Sequence, residues 1–386
     1  MTTTLRGMGW NHERCMAPLL SSSAEFSRQH PGIEFHWDSR PLSEFGDGHL
    51  EDLVQNYDLI VFDHPFVGQA EKEELFLDMN KLLERSELEQ FRGDSLGPSF
   101  TSYETADGLW GLPIDAAAQV ACFIPEQMEA LGRPAPANIE EIFALVGIAR
   151  KQQKSIALPL VAIDAICLYF TLTAGFGDPI PRDGASFPSD ETSKRALDVM
   201  LRFRDSVDPR SLEWNPIQCF DYMSEHDDIV YQPFAFGYTN YARKNCSGKH
   251  RLAFTDIPSI NGFDCSGSIL GGAGIGITSA SQHVDEALAY SKWVCSPSYQ
   301  ASNYTASGGQ PASLAAWQAQ GPNDLTCTFF RNTIATHQNA YLRPTFYGII
   351  PWFRASGNLL VEFLKDEVSE QECMTRLKDS FLLARG

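Results

Sequence analysis

Two dipeptides in this sequence bring together groups able to bind solutes or move protons, Asn11-His12 and Asp63-His64. Histidine titrates near neutral pH, so His12 and His64 beside the carboxylates of Asp63 and Asp115 form a set suited to general acid/base work. By residue type the same groups are also metal ligands. Recognition of a sugar or polyol fits them equally well. Aromatic faces then pack on C–H surfaces while Asp, Asn, Arg and His bond to hydroxyls, within a pocket that has a few placed polar groups. By that criterion the candidates are Trp10, Asn11, His12, Asp63, His64, Trp110 and Asp115. A later aromatic run adds Tyr231, Phe234, Phe236, Tyr238 and Asn240, although such a run serves a core as readily as a binding platform.

The elements that must position these residues follow from hydrophobic periodicity. Leu5–Trp10 reads as a strand ending at Asn11-His12, and an amphipathic helix over about 14–29 buries Met16, Leu19, Leu20 and Phe26. Ile33–Trp37 alternates as a second strand, and a helix is expected near 49–56. The apolar run Asp58–Phe62 then reads as a buried parallel strand ending at Asp63-His64. This β-α-β-α-β order implies a parallel sheet with helices on both faces, and ligands bind beyond the carboxyl ends of such strands. Both polar pairs therefore fall on one rim.

Further along, Glu71–Arg92 reads as one charged helical cover. Gln119–Ile124 is β-prone, and Asn138 opens a helix to about 153. Ser155–Val161 is strand-like, and Ala162–Ala174 is an apolar core helix too short to span a bilayer. Helices are expected over 191–204, 284–294, 350–364 and 369–382. Arg251–Asp256 and Gly267–Thr278 are expected to contain strands.

The 386 residues suggest about two to three domains. Thirty Lys+Arg against 49 Asp+Glu leave a net charge of −19, which argues against nucleic-acid and anionic-membrane partners. The segment Met1–Met8 lacks the apolar stretch of a signal peptide. The nine cysteines show neither paired nor zinc-type spacing. Together these features predict a cytoplasmic location, or a periplasmic one if a signal has been removed. There is no P-loop, no HExxH motif and no G-x-S-x-G elbow, and no cofactor or metal is indicated.

Three phrases carry a resemblance: Trp110-Gly-Leu-Pro-Ile-Asp115, Gly271-Gly272-Ala-Gly-Ile-Gly-Ile277, and Gly309-Gln-Pro-Ala312. In this order on an α/β pattern, the chain resembles the extracellular solute-binding proteins of ABC importers, specifically the large sugar-binding family. The resemblance spans most of the chain. It implies a periplasmic-binding-protein-like α/β fold of two Rossmann-like lobes joined by a multi-strand hinge. Lobe 1 would take 1–115 plus about 267–312, and lobe 2 would take 120–260 plus about 313–386. Crossings are expected near 113–124, 257–267 and 308–315. It further implies that a sugar- or polyol-like ligand is held in an interlobe cleft by hinge closure, with an ABC permease as partner. Gly272, Arg343 and Tyr347 join the ligand-binding candidates on the same ground. The alternative is a cytoplasmic enzyme or sensor on this fold that uses His12, Asp63, His64 and Asp115 for acid/base chemistry.

Overall fold

Alternating residues in the first forty positions build a parallel sheet in the computed structural model, which describes residues 2–42, 45 and 49–386. Strand β1 is Thr3–Trp10, β2 is Ile33–Arg40 and β3 is Leu59–Phe62. Later strands are β4 (Leu112–Phe123), β5 (Ser155–Ile156), β6 (Ile229–Phe236), β7 (Ala253–Thr255) and β8 (Leu270–Ile277). The fold is mixed α/β, as expected, and the chain divides into two units. Unit 1 comprises Met1–Ala117, Gly271–Leu325 and Thr345–Tyr347; unit 2 comprises Ala118–Leu270, Thr326–Pro344 and Gly348–Gly386.

In unit 1 the strand order is β2-β1-β3-β8, with β8 antiparallel to β3. Gly7 pairs with Leu59 and Met8 with Ile60, so the carboxyl ends of β1 and β3 are level. The helix Glu13–Gln29 packs on one face, where a Cβ on Gly9 would lie 2.9 Å from the Cys15 sulfur. Phe26, Phe35 and Tyr290 cluster there, with Phe35 and Tyr290 centroids 4.6 Å apart. Such aromatic pairs add to the area they remove from water.

Unit 2 has the strand order β7-β4-β6-β5. Its helix Ala162–Gly175 is buried nearly all round, as a largely apolar helix must be. Phe170 stacks on Phe353 at 5.7 Å and also meets Trp352.

Two local expectations are corrected and a third is extended. Glu71–Arg92 is not one helix but the pieces Val67–Lys72, Met79–Leu82 and Arg85–Gly93. Glu74 adopts a left-handed φ of 53° and Phe76 bridges to Thr278, so the backbone leaves the helix between them. Ser155–Val161 forms a strand only over Ser155–Ile156, although the Ala157 N–H still donates to Tyr231 at 3.0 Å. Pro159 in that run has no N–H to continue a ladder. The β-prone run at 119–124 is the second half of the longer β4, whose residues through Cys122 are all buried.

Among the described residues, no helix is long and apolar enough to cross a membrane. Cys15, Cys122, Cys167, Cys219, Cys295 and Cys373 are buried.

Candidate functional site

The rim of unit 1 begins where β1 runs out of partners. Trp10 is its last residue, Asn11 is exposed, and His12 is the N-cap of the helix Glu13–Gln29. The extended His12 backbone lets Nδ1 accept the Arg14 N–H at 3.1 Å, satisfying one of the helix's orphan donors. Burial, helped by the Arg14 charge, pulls the His12 pKa down to about 4. His12 is therefore neutral at pH 7, which corrects the picture of an imidazole poised to exchange protons.

One strand over, β3 ends at Asp63, and the Asp63 carboxylate caps the next turn by accepting the His64 N–H at 2.8 Å. The His64 ring lies beside the same carboxylate, with Nδ1 3.3 Å from Oδ1. The level register of β1 and β3 thus brings Trp10, Asn11, His12, Asp63 and His64 together at the carboxyl edge of one parallel pair. Arg40, which ends β2 opposite Trp10, shares that edge.

Asp115 is placed differently. It is wholly buried, and its two oxygens accept from the Arg14 guanidinium, Nε to Oδ2 at 2.8 Å and Nη2 to Oδ1. Burial pushes the Asp115 carboxyl up, while the guanidinium opposes that shift. Bidentate pairing of this kind is the strong form of the contact.

Gly272, in β8, has a φ of 108°, and a Cβ there would lie 2.4 Å from the Asp115 carbonyl oxygen. Only glycine permits that backbone approach. Trp110 is buried in unit 1 and donates its indole N–H to Thr105 at 2.9 Å.

Tyr347 stands at the end of the short segment Thr345–Tyr347 and is 54% exposed. A Cβ on Gly68 would collide with the Thr345 carbonyl oxygen at 1.7 Å, so the helix Val67–Lys72 carries that segment directly on its backbone.

The unit 2 candidates separate by position along β6. Tyr231 and Phe234 lie inside the strand and are buried, and Phe234 packs edge-on to Phe203 at 5.9 Å. Phe236 ends the strand, and Tyr238 and Asn240 follow it. Arg343 is buried, with its guanidinium 5.8 Å from the Phe353 ring centre.

Sequence reasoning passed over Arg14, because a charged residue in an amphipathic helix reads as solvent-facing. A signal was present. A cation in the first turn opposes the helix dipole, so it needs a nearby carboxylate to be stable there. Among the described residues, no group of three or more His, Cys, Asp or Glu side chains is arranged to hold a metal ion.

Comparison with known proteins places this geometry. No curated protein sequence matches the chain significantly. Solved structures match it over nearly its whole length at low identity, and they establish the fold alone. Maltose-bound MalE3 of T. maritima superposes with a TM-score of 0.84 at 14% identity, covering 98% of this chain and 99% of that one. A Thermotoga lettingae ABC transporter solute-binding protein bound with α-D-tagatose gives 0.82 at 15% identity, with full coverage of both chains (100% and 100%). A ribitol complex of an Agrobacterium radiobacter ABC transporter solute-binding protein gives 0.80 at 16%, covering 98% of each.

Residues 24–324 match the family model described as bacterial extracellular solute-binding protein. That match overturns the cytoplasmic expectation, because the family is extracellular. The cysteines misled for a physical reason. Burial pushes most of the buried thiols' pKa values up. It thereby suppresses the reactive thiolate in any compartment, so unpaired thiols do not report one. With the match extending over most of its length, the chain belongs to the family of bacterial extracellular solute-binding proteins.

Proposed function

We propose that this solute-binding protein captures a neutral sugar or polyol on the unit 1 rim formed by Trp10, Asn11, His12, Asp63 and His64, and delivers it to an ABC-type permease. The observation that carries this reading is the juxtaposition of the two polar pairs at the level carboxyl ends of β1 and β3. Parallel sheets bind their ligands at such edges. The rim offers carboxylate and amide oxygens, a neutral imidazole and an indole N–H, a mixture that recognises hydroxyls. The solved structures of similar fold that carry maltose, tagatose and ribitol support the same ligand class. Tyr347, also in unit 1, is a further proposed contact.

In the same reading, Gly272 and Asp115 serve the framework that holds the rim, and Tyr231 serves the core of unit 2. The segments around Ala117/Ala118 and Leu270/Gly271, where the chain passes from one unit to the other, serve as its hinge. No specific observation favours the acid/base alternative: His12 is a neutral helix cap and Asp115 is engaged by Arg14.

The test is a thermal-shift screen of the purified chain against sugars, polyols, amino acids and organic acids, followed by titration calorimetry on whatever stabilises it. A true solute at 100 times its Kd stabilises by about 2.7 kcal/mol. The expected result is stabilisation by a sugar or polyol, lost in Asp63→Asn and His64→Gln. Stabilisation by amino or organic acids alone, or full binding by both variants, would overturn the proposal.

A further inference from the structure

The geometry points to Trp10 as a hydrogen-bond donor to the solute, its indole N–H meeting a hydroxyl oxygen, and not as a stacking surface; this rests on the unit 1 rim being the solute site. Four tryptophans are buried: Trp10, Trp110, Trp317 and Trp352. Three of them use their N–H inside the protein. Trp110 donates to Thr105 at 2.9 Å, Trp317 to the Pro311 carbonyl at 2.6 Å, and Trp352 to Ser380 at 3.1 Å. Trp37, which is partly exposed, also donates, to Ser23 at 2.7 Å. Trp10 is 4% exposed, yet its Nε1 has no acceptor among the described residues.

A buried donor without an acceptor is costly and rare in native folds, and each instance asks for an explanation. Here position supplies one. Trp10 is the last residue of β1, at the carboxyl edge where solutes bind. Side chains alternate across a strand, and Gly9 faces the helix Glu13–Gln29. Trp10 therefore projects from the opposite face of the sheet. Phe45 lies against its ring there, with centroids 4.7 Å apart and planes inclined at 41°. That contact takes up ring surface which a stacking role would need, and it leaves the N–H as the chemistry Trp10 still has to offer. The inference constrains the solute. It must present an oxygen acceptor at this point, and an analogue lacking that oxygen leaves the donor unpaired again.

The experiment is titration calorimetry of the full chain and its Trp10→Phe variant with maltose, ribitol and D-tagatose. It is repeated with each monodeoxy form of whichever compound binds most tightly. Phenylalanine keeps an aromatic ring and removes the N–H. The expected result is about 10-fold weaker binding by Trp10→Phe. Its thermal midpoint without solute is expected to fall modestly, because the smaller ring leaves space at a buried position. One monodeoxy form should lose the same factor against the unaltered protein and nothing further against the variant.

Equal binding by both proteins overturns the donor role and leaves the rim reading intact. A loss of affinity in the variant that no single monodeoxy form reproduces also overturns it, because it would assign Trp10 to the framework. Failure of the unaltered protein to bind any of the three compounds overturns the rim reading and the donor with it.

Discussion

Three buried or part-buried polar side chains of unit 1 and three of unit 2 meet their surroundings differently. In unit 1 the buried carboxylate of Asp115 meets a guanidinium, His12 caps a helix, and Asp63 caps a turn. In unit 2 the Oδ2 of Asp164, the hydroxyl of Tyr231 and both amide atoms of Gln232 are buried with no hydrogen-bond partner among the described residues. The difference follows from place. His12 and Asp63 stand just beyond strand ends, where they cap backbone N–H groups, and Asp115, inside β4, is met by Arg14 of the helix Glu13–Gln29. Tyr231 and Gln232 lie within β6, whose ladder already uses the backbone, and Asp164 lies in the first turn of the largely apolar helix Ala162–Gly175. The unit 1 groups are paired, whereas Asp164, Tyr231 and Gln232 bear the cost of desolvation.

The largest test of that contrast is Asp115→Ala in unit 1. It strands the buried Arg14 charge and is expected to cost about 3–5 kcal/mol in urea denaturation. A loss under about 1 kcal/mol would mean that the pair contributes little beyond a surface contact.

Asp164 gives the opposite pattern. Burial raises its pKa from 3.8 to about 8. The folded carboxyl thus stays protonated where the unfolded one ionises. Its contribution is fully present below about pH 4 and is lost as pH rises, by about 2 kcal/mol between pH 6 and pH 8. Asp164→Asn should remove that decline, and equal slopes in the two proteins would show Asp164 ionised in the fold.

His12 slopes the other way. With its folded pKa depressed from 6.5 to about 4, the unfolded chain takes up the proton more readily. Its contribution is complete above about pH 6.5 and falls by about 1–2 kcal/mol on acidification to pH 4.5, allowing for its partial exposure. His12→Asn keeps a capping side chain and should flatten that limb of the stability profile.

The smallest effect is expected from Tyr231→Phe. Removing an unpartnered buried hydroxyl should leave stability within about 0.5 kcal/mol or raise it. A loss above about 1 kcal/mol would reveal a partner for the hydroxyl.

Much of unit 1 was legible beforehand. Alternation located β1 and β2, the apolar run located β3, and the order of elements put Asn11-His12 and Asp63-His64 on one edge. The longer helices of unit 2 were legible for a similar reason, since periodicity over long segments is a strong local signal, whereas Pro216–Glu225 and Phe329–Gln338 were not expected. The misreadings were of other kinds. Glu71–Arg92 has helical composition throughout, yet the bridge from Phe76 to Thr278 breaks it, and that contact spans some two hundred residues. Tyr231 and Tyr238 look equivalent in a string of aromatics. One is sealed inside β6 and the other follows its end, a difference that composition does not encode.

Local pattern alone therefore determined the class of fold, most helix positions and the two polar strand ends, because these depend on residues within a few positions of one another. Tertiary structure alone decided which polar groups were already spent. His12 and Trp10 stand two residues apart, and nothing in their types says that one ring nitrogen caps a helix while the indole N–H finds no acceptor. Asp115 and Arg14 are a hundred positions apart, and their pairing exists only because a crossing strand and a first helix meet. Hydrogen bonds are short-ranged and directional, so the use of each donor is set by what the fold brings within about 3 Å of it.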